Sequence, residues 1–222
     1  MNLRFEIAAS GSESPLARRD CGLKIYDLDI MAIKPIYQKI YEQAKPFLRT
    51  RKNLIHTKIA FGYALKLLKH EKGDEDIVIP AILLHDVGWK AIPENLHLTA
   101  FGPNPSNPKL TKVHEVEGAK IAKTILEKWH YPPEKVKEIC RIIQGHDSRK
   151  RPISRNDRIV KDADKLTRYS RKGMAIDLHR FQIPHQKYLI FLEGIIDQWF
   201  LTSAGKEIAR REIFLRRSER AQ

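Results

Sequence analysis

From Ile33 to the C-terminus the apolar residues return every three to four positions, and stretches that alternate apolar with polar are scarce. Ile33, Ile36, Tyr37 and Ile40 share one helical face; His56, Ala60, Tyr63, Ala64 and Leu67 share another; His114, Gly118, Ile121, Ile125 and Trp129 form a third stripe. Val136, Ile139, Ile143 and His146 continue the pattern, followed by Ile159, Val160, Ala163 and Leu166, by Leu189, Leu192, Ile196 and Trp199, and by Ile208 and Leu215. A chain patterned in this way folds as an all-α bundle.

Local signals refine the boundaries. Pro46 predicts a break or bend, and Gly73 a stop before a new element. The run D-I-V-I-P-A-I-L-L-H-D-V-G has β-branched residues, but Pro80 would forfeit a ladder bond in a strand. A short buried helix is expected instead, with Asp76 as N-cap, Pro80 in its first turn and Gly88 past its end. Residues 93–112 hold four prolines and three asparagines without a period, which predicts a long loop next to the His85-Asp86 pair. Ser154 or Asn156 is placed to cap the helix that follows. Residues 1–32, rich in turn formers, read as an irregular peripheral arm, and residues 33–222 as the bundle with additional C-terminal helices.

The 222 residues suit one domain, and 42% hydrophobic with 31% charged residues suits a globular chain. Cys21 and Cys140 form no C-x-x-C pair, which disfavours a disulfide scaffold and fits a reducing cytoplasm. Arg4 and Glu6 interrupt the N-terminus where a signal peptide would be apolar. The segment 188–201 is too short and too polar to span a bilayer, so a soluble, cytoplasmic protein without membrane partners is expected. The net charge of +14 draws anions without naming them.

Four of the nine histidines, His56, His85, His114 and His146, fall on the apolar face or at the end of an expected buried helix. One such histidine is ordinarily a core residue bonded to a carbonyl; four together suggest ligation. Asp86 follows Leu83, Leu84 and His85, where an uncompensated carboxylate would be costly to bury and a cation would remove that cost. Successive helical residues diverge by ~100°, so His85 and Asp86 can share an ion in the sector between them, most readily at a helix end. Imidazole with carboxylate suits Fe, Mn, Co, Ni or Zn, and the absence of thiolate argues against a structural zinc site. Mixed N/O ligation leaves room for water, which a divalent ion acidifies while polarising a phosphoryl oxygen. Hydrolysis is the chemistry such a site suggests.

The ordered motifs H-x-K at His56, A-I-L-L-H-D-V-G-W-K at His85-Asp86 and D-A-D-K-L at Asp162–Leu166 resemble the HD superfamily of metal-dependent phosphohydrolases, over about residues 53–170. The resemblance implies a helical HD-domain bundle with His56, His85, Asp86 and one aspartate of D-A-D on a divalent metal. Asp164 matches the family's A-D-x-L pattern, with Asp162 as the fallback. H-E-V-E-G-A-K-I-A and I-I-Q-G-H-D resemble segments of dinuclear members, making His114 and His146 candidates for a second ion. The resemblance implies a phosphohydrolase with His85 and Asp86 at its catalytic centre, one or two ions, and a small phosphorylated substrate, most simply a nucleotide. Lys90 is assigned a catalytic and phosphate-contacting role, although many relatives read H-D-x-G-K and this chain inserts Trp89. The absence of G-Y-P disfavours a cyclic dinucleotide enzyme.

Arg149, Lys165 and Arg168, close in sequence to the proposed ligands, are the remaining substrate-binding candidates, against the reading of an ordinary basic surface. Asp147 reads as a helix-end surface acid that could alternatively orient His146. His97 reads as solvent-exposed against the alternative of a proton donor on a lid, Cys140 as a small buried hydrophobe, and the basic C-terminal helix equally as a nucleic-acid contact or a surface helix with i,i+4 pairs. Two other functions compete. A di-iron oxygenase of HD-like fold would consume oxygen with its substrate. A basic nucleic-acid-binding protein with a vestigial metal site would bind duplexes in a salt-sensitive way that ignores changes at His85. Oligomeric state is left open by the sequence.

Overall fold

A computed structural model describes residues 34–102 and 105–219; the expected arm at residues 1–32 lies outside them. The described residues are helical without a strand, as the periodicity requires. In chain order the helices are α1 (Pro35–Leu48), α2 (Asn53–Leu68), α3 (Glu75–Leu84), α4 (His97–Ala100), α5 (Lys109–Lys128), α6 (Pro133–Ile143), α7 (Arg155–Leu166), α8 (Arg171–Phe181), α9 (His185–Gly194), α10 (Ile196–Trp199) and α11 (Ser203–Ser218). No described helix is long and apolar enough to cross a membrane.

The apolar run of α3 makes it the central helix, because a helix apolar all round can only be stable when surrounded. Every residue from Ile77 to Leu84 is buried, with α1, α2, α6 and α7 packed about it. The N-cap is Asp74 and not Asp76: Asp74 takes the extended conformation and its carboxylate accepts the Asp76 N–H at 2.8 Å. Asp76 is thereby released to join α3 to its neighbours, accepting from Tyr37 Oη and pairing with Lys34 and Lys135 at 2.8 and 3.0 Å. Pro80 lies in the helix interior, one turn later than expected. Lacking an N–H, it leaves the Asp76 carbonyl without its usual partner, and Tyr131 Oη–H donates to that oxygen at 2.6 Å. Pro46 likewise falls inside a helix, α1, which ends two residues later.

The chain after α3 forms a 3₁₀ turn, Val87–Ala91, laid directly on α5. Gly88 makes this approach possible: a Cβ there would lie 1.9 Å from the His114 carbonyl oxygen and 2.4 Å from the Gly118 nitrogen. The expected loop of residues 93–112 is more ordered than its composition suggests, with a 3₁₀ turn at Glu94–Leu96, the single-turn α4, and α5 already begun at Lys109. His97 is buried, not exposed, because its ring packs 5.0 Å from Trp89 and its Nε2–H donates to the Ile92 carbonyl at 2.8 Å.

Ser154 caps α7 by accepting the Asp157 N–H. Four polar residues then run along α7 at helical spacing, each committed to a different neighbour. Asp157 holds Arg149 at 3.0 Å; Lys161 donates to the carbonyls of Gly145 and His146; Asp164 reaches His56 at 2.9 Å; Arg168, just past the helix end, pairs with Asp177 at 2.8 Å. The C-terminal helices cover the other side of α7, and on α11, expected as a surface helix, Glu212 and Arg216 form a buried i,i+4 pair. Cys140 is half-buried, its thiol pushed up to about 11 by burial.

Candidate metal centre

His56 projects from α2, His85 ends α3, and Asp86 opens the 3₁₀ turn as the chain leaves the helix at φ −102°, ψ 4°. This change of direction lets the consecutive pair face one point. Asp164 arrives from α7, His114 from the first turns of α5, and His146 from the turn after α6. His56 Nε2 lies 3.0 Å from His85 Nε2 and 2.9 Å from Asp164 Oδ1, and Asp86 Oδ2 is 3.6 Å from both imidazole nitrogens. On the other side, His114 Nε2 and His146 Nε2 are 3.3 Å apart, with Asp86 Oδ1 at 3.9 and 3.8 Å. One carboxylate therefore divides its oxygens between two histidine pairs.

The histidine tautomers are set from behind. His85 Nδ1 lies 2.8 Å from the Ile82 carbonyl and His146 Nδ1 lies 2.8 Å from the Ile143 carbonyl, so each Nδ1 must carry the proton and donate it. Nε2 of each ring is thereby turned inward, free to present a lone pair once it gives up its proton. Nitrogens 3.0 Å apart cannot share that space as two bare lone pairs; a proton or a cation must lie between them. Burial opposes charge on His85, yet Asp86 and Asp164 raise its pKa. Burial likewise opposes charge on His146, but Asp147 and Asp86 prevail and push it up to about 10. Burial also works against Asp86 and Asp164, but the surrounding histidines hold both well below the ordinary carboxylate range. Donors of this chemistry, fixed in their inward orientation, fit divalent transition metals.

Asp147 belongs to this arrangement and is not a mere helix-end acid. Its Oδ2 lies 3.5 Å from His114 Nε2 and 3.6 Å from His146 Nε2, despite being the most exposed of these groups. It is held by Glu115, fully buried, whose carboxylate accepts the N–H groups of Asp147 and Ser148 at 2.9 and 2.8 Å and the Ser148 hydroxyl at 2.6 Å. Glu115 sits inside the H-E-V-E-G motif, but nothing local announces a contact 32 residues away.

Asp162 does not join the cluster. Half a turn from Asp164, it accepts the N–H groups of Leu201 and Thr202 and the Thr202 hydroxyl at 2.7–3.2 Å, tying α7 to the start of α11. Trp89, the residue that interrupts the expected H-D-x-G-K spacing, packs against the His114 side of the cluster. Its indole N–H donates to Asp86 Oδ1 at 3.0 Å and its ring stacks on His114, centroids 4.1 Å apart and planes within 12°.

The cluster floors a cavity of about 330 Å³, bordered by His56, Asp86, Asp147 and Asp164. Three of the four expected substrate-binding cations are elsewhere. Lys90 is exposed and outside the cavity lining, Arg149 is spent on Asp157 and the Arg141 carbonyl, and Lys165 donates to the Trp199 carbonyl at 2.7 Å. Arg168 does line the cavity, together with Arg51, Lys52 and Arg180, which the sequence did not single out. Arg51 stands next to α2 with φ 44°, a conformation without a motif to betray it.

The HD domain family model matches residues 53–169. A solved structure, that of a predicted HD superfamily hydrolase from an uncultured Thermotogales bacterium, shares the fold at a TM-score of 0.56 with 20% identity, covering 82% of this chain and 89% of that one. Comparison with curated proteins returned no match. The family match and the donor set together support a metal-dependent hydrolase in general terms. With more than half of its length matched by the family model, the chain belongs to the HD domain family.

Proposed function

We propose that the protein is a metal-dependent phosphohydrolase that holds two divalent ions and cleaves a phosphate ester, most simply a small nucleotide. The observation that carries this reading is the division of Asp86: Oδ2 faces His56 and His85 while Oδ1 faces His114 and His146. One ion would be held by His56, His85, Asp86 and Asp164, the other by His114, His146, Asp86 and Asp147. Such ions polarise a phosphoryl oxygen and bring the pKa of water to ~7. The chain's own part is orientation. The carbonyls of Ile82 and Ile143 fix two imidazoles, Trp89 fixes Asp86, and Glu115 fixes Asp147. The cavity volume falls at the lower end of the range roughly 300–1,000 Å³ that small-molecule sites occupy.

Elemental analysis of the purified protein, followed by phosphate release from mono- and diesters with Mn, Fe, Co, Ni and Zn, tests the proposal. Two ions per chain and metal-dependent phosphate release are expected, both lost in Asp86→Asn. Turnover that survives in the metal-free protein, or oxygen uptake without phosphate release, would reject it. Binding to duplex nucleic acid that ignores His85→Ala, with no hydrolysis at all, would favour the basic surface as the working part instead.

A further inference from the structure

Arg51 is held in an unusual way. Its left-handed backbone, φ 44°, is locked by the N–H donating to Glu94 Oε1 at 2.7 Å, and its guanidinium lies 5.1 Å from the Trp89 ring centre and 4.7 Å from that of Phe101. Its Nε and Nη1 are buried with no hydrogen-bond acceptor among the described residues, and it makes no ion pair with them. Burying guanidinium N–H groups without an acceptor is costly, and such groups in a folded protein call for an explanation, of which an anion received there is one. Burial lowers its pKa to about 10, which still leaves it charged near neutrality.

The same Phe101 ring carries a second guanidinium, Arg180, at 5.5 Å. Arg180 and Arg168 must share Asp177, at 3.4 and 2.8 Å, and Asp177 also accepts from the Tyr188 hydroxyl at 2.8 Å. Among the described residues Asp177 is the one carboxylate within ion-pair distance of these guanidinia, while Asp86, Asp164 and Glu94 act on them from farther away. The remaining acids of the cavity, Asp86, Asp147 and Asp164, are engaged with the histidines on its floor.

We infer that Arg51, Arg168 and Arg180 form a receptor for a dianionic terminal phosphate, so that the substrate is a phosphate monoester and not a diester. Three guanidinia with one directly paired carboxylate favour the doubly charged monoester; a diester carries one charge and blocks an oxygen with carbon. Arg51 and Arg180, separated by an aromatic ring, present planar forks suited to phosphate oxygens. The catalytic meaning of this receptor rests on the phosphohydrolase reading, but its existence can be tested without a metal.

The experiment is calorimetric titration of metal-stripped protein with inorganic phosphate and with dimethyl phosphate, at fixed ionic strength and about pH 8, where a phosphate group carries close to two charges. Saturable phosphate binding is expected, about tenfold weaker in Arg51→Gln and in Arg180→Gln, with dimethyl phosphate at least about tenfold weaker than phosphate on the native chain. Arg51→Lys, which keeps the charge but not the fork, should fall between. Circular dichroism establishes that each variant is folded, and Arg180→Gln stands alone if Arg51→Gln is not. Absence of phosphate binding, equal binding of dimethyl phosphate, or variants that bind as the native chain does would each overturn the inference. Elemental analysis of the same preparation before stripping separates the two ideas: phosphate bound by a protein that never holds metal rejects the ion reading and leaves the receptor standing.

Discussion

The carboxylate of Glu115 accepts the backbone N–H of Asp147 at 2.9 Å, so a buried acid on α5 determines where a half-exposed acid on the turn after α6 can stand. Glu115→Gln keeps the size of the side chain but exchanges one acceptor for a donor facing Ser148. The turn should loosen and Asp147 should no longer be held opposite His114 and His146. The expected result is a second ion bound about 10–100-fold more weakly, the usual consequence of removing such support, with the ion at His56, His85, Asp86 and Asp164 retained. Titration of metal-stripped protein, with the two stoichiometric steps resolved, measures this.

Metal binding should be strongly linked to pH. His146 in the metal-free protein is held up to about 10 by Asp147 and Asp86 against the opposing effect of burial, so near pH 7 it carries a proton that an ion must expel. At least about one proton per chain should therefore be released on loading at about pH 7–8, seen as a dependence of the calorimetric heat on the buffer's ionisation enthalpy. The metal-free fold responds to acid in the other direction. Asp76, Asp86 and Asp164 all have folded pKa values below their ordinary range. Their contribution to stability is fully present above ~4 and fades as the pH falls through the folded values. Thermal unfolding of the stripped protein should shift to lower temperature below about pH 4, and a flat profile there would contradict the described network.

Asp162 and Asp164 are two residues apart but should behave as different kinds of residue. Asp162→Ala removes the acceptor of the Leu201 and Thr202 N–H groups and frees the start of α11. A loss of about 1–3 kcal/mol in urea unfolding is expected, with metal content intact. Asp164→Ala should lower metal content, and its cost to the stripped protein, which loses the partner of His56 and His85, should fade below about pH 4.

Gly88→Ala tests the backbone contact behind the centre. The added methyl would meet the His114 carbonyl at 1.9 Å, and neither backbone can yield without moving α5. A destabilisation of about 1–3 kcal/mol or more is expected from overpacking, accompanied by weaker binding at the His114 and His146 side. Native stability in this variant, measured by thermal denaturation, would show the contact to be softer than described.

What could be read from the sequence follows from the range over which each signal acts. His56, His85, His114 and His146 were placed by helical periodicity, because the face that buries neighbouring apolar residues buries the histidines with them. Asp86 followed from adjacency to His85 at a helix end. The cations were harder. Lys90, Arg149 and Lys165 are near the ligands in sequence, but helical phase and local partners turn them elsewhere. Arg51 and Arg180 are brought to the cavity by the packing of separate elements, and the left-handed turn at Arg51 leaves no mark on composition. The choice between Asp162 and Asp164 turns on contacts with Leu201 and Thr202, 39 and 40 residues distant from Asp162, which periodicity does not encode. His97 and Asp147 differed from expectation for the same reason: each is fixed by a partner from a different element or turn.

Trp89 touches the His114 side of the centre and the carboxylate that both sides share, by its hydrogen bond to Asp86 and its flat contact with His114. An indole so placed is a built-in optical probe. Its fluorescence responds to the electric field and to quenching by whatever the neighbouring groups embrace, so arrival of a paramagnetic ion should darken it, and the two steps of loading become visible in real time without a label. Trp129 and Trp199 lie outside the cavity lining and provide the steady background against which that change is read.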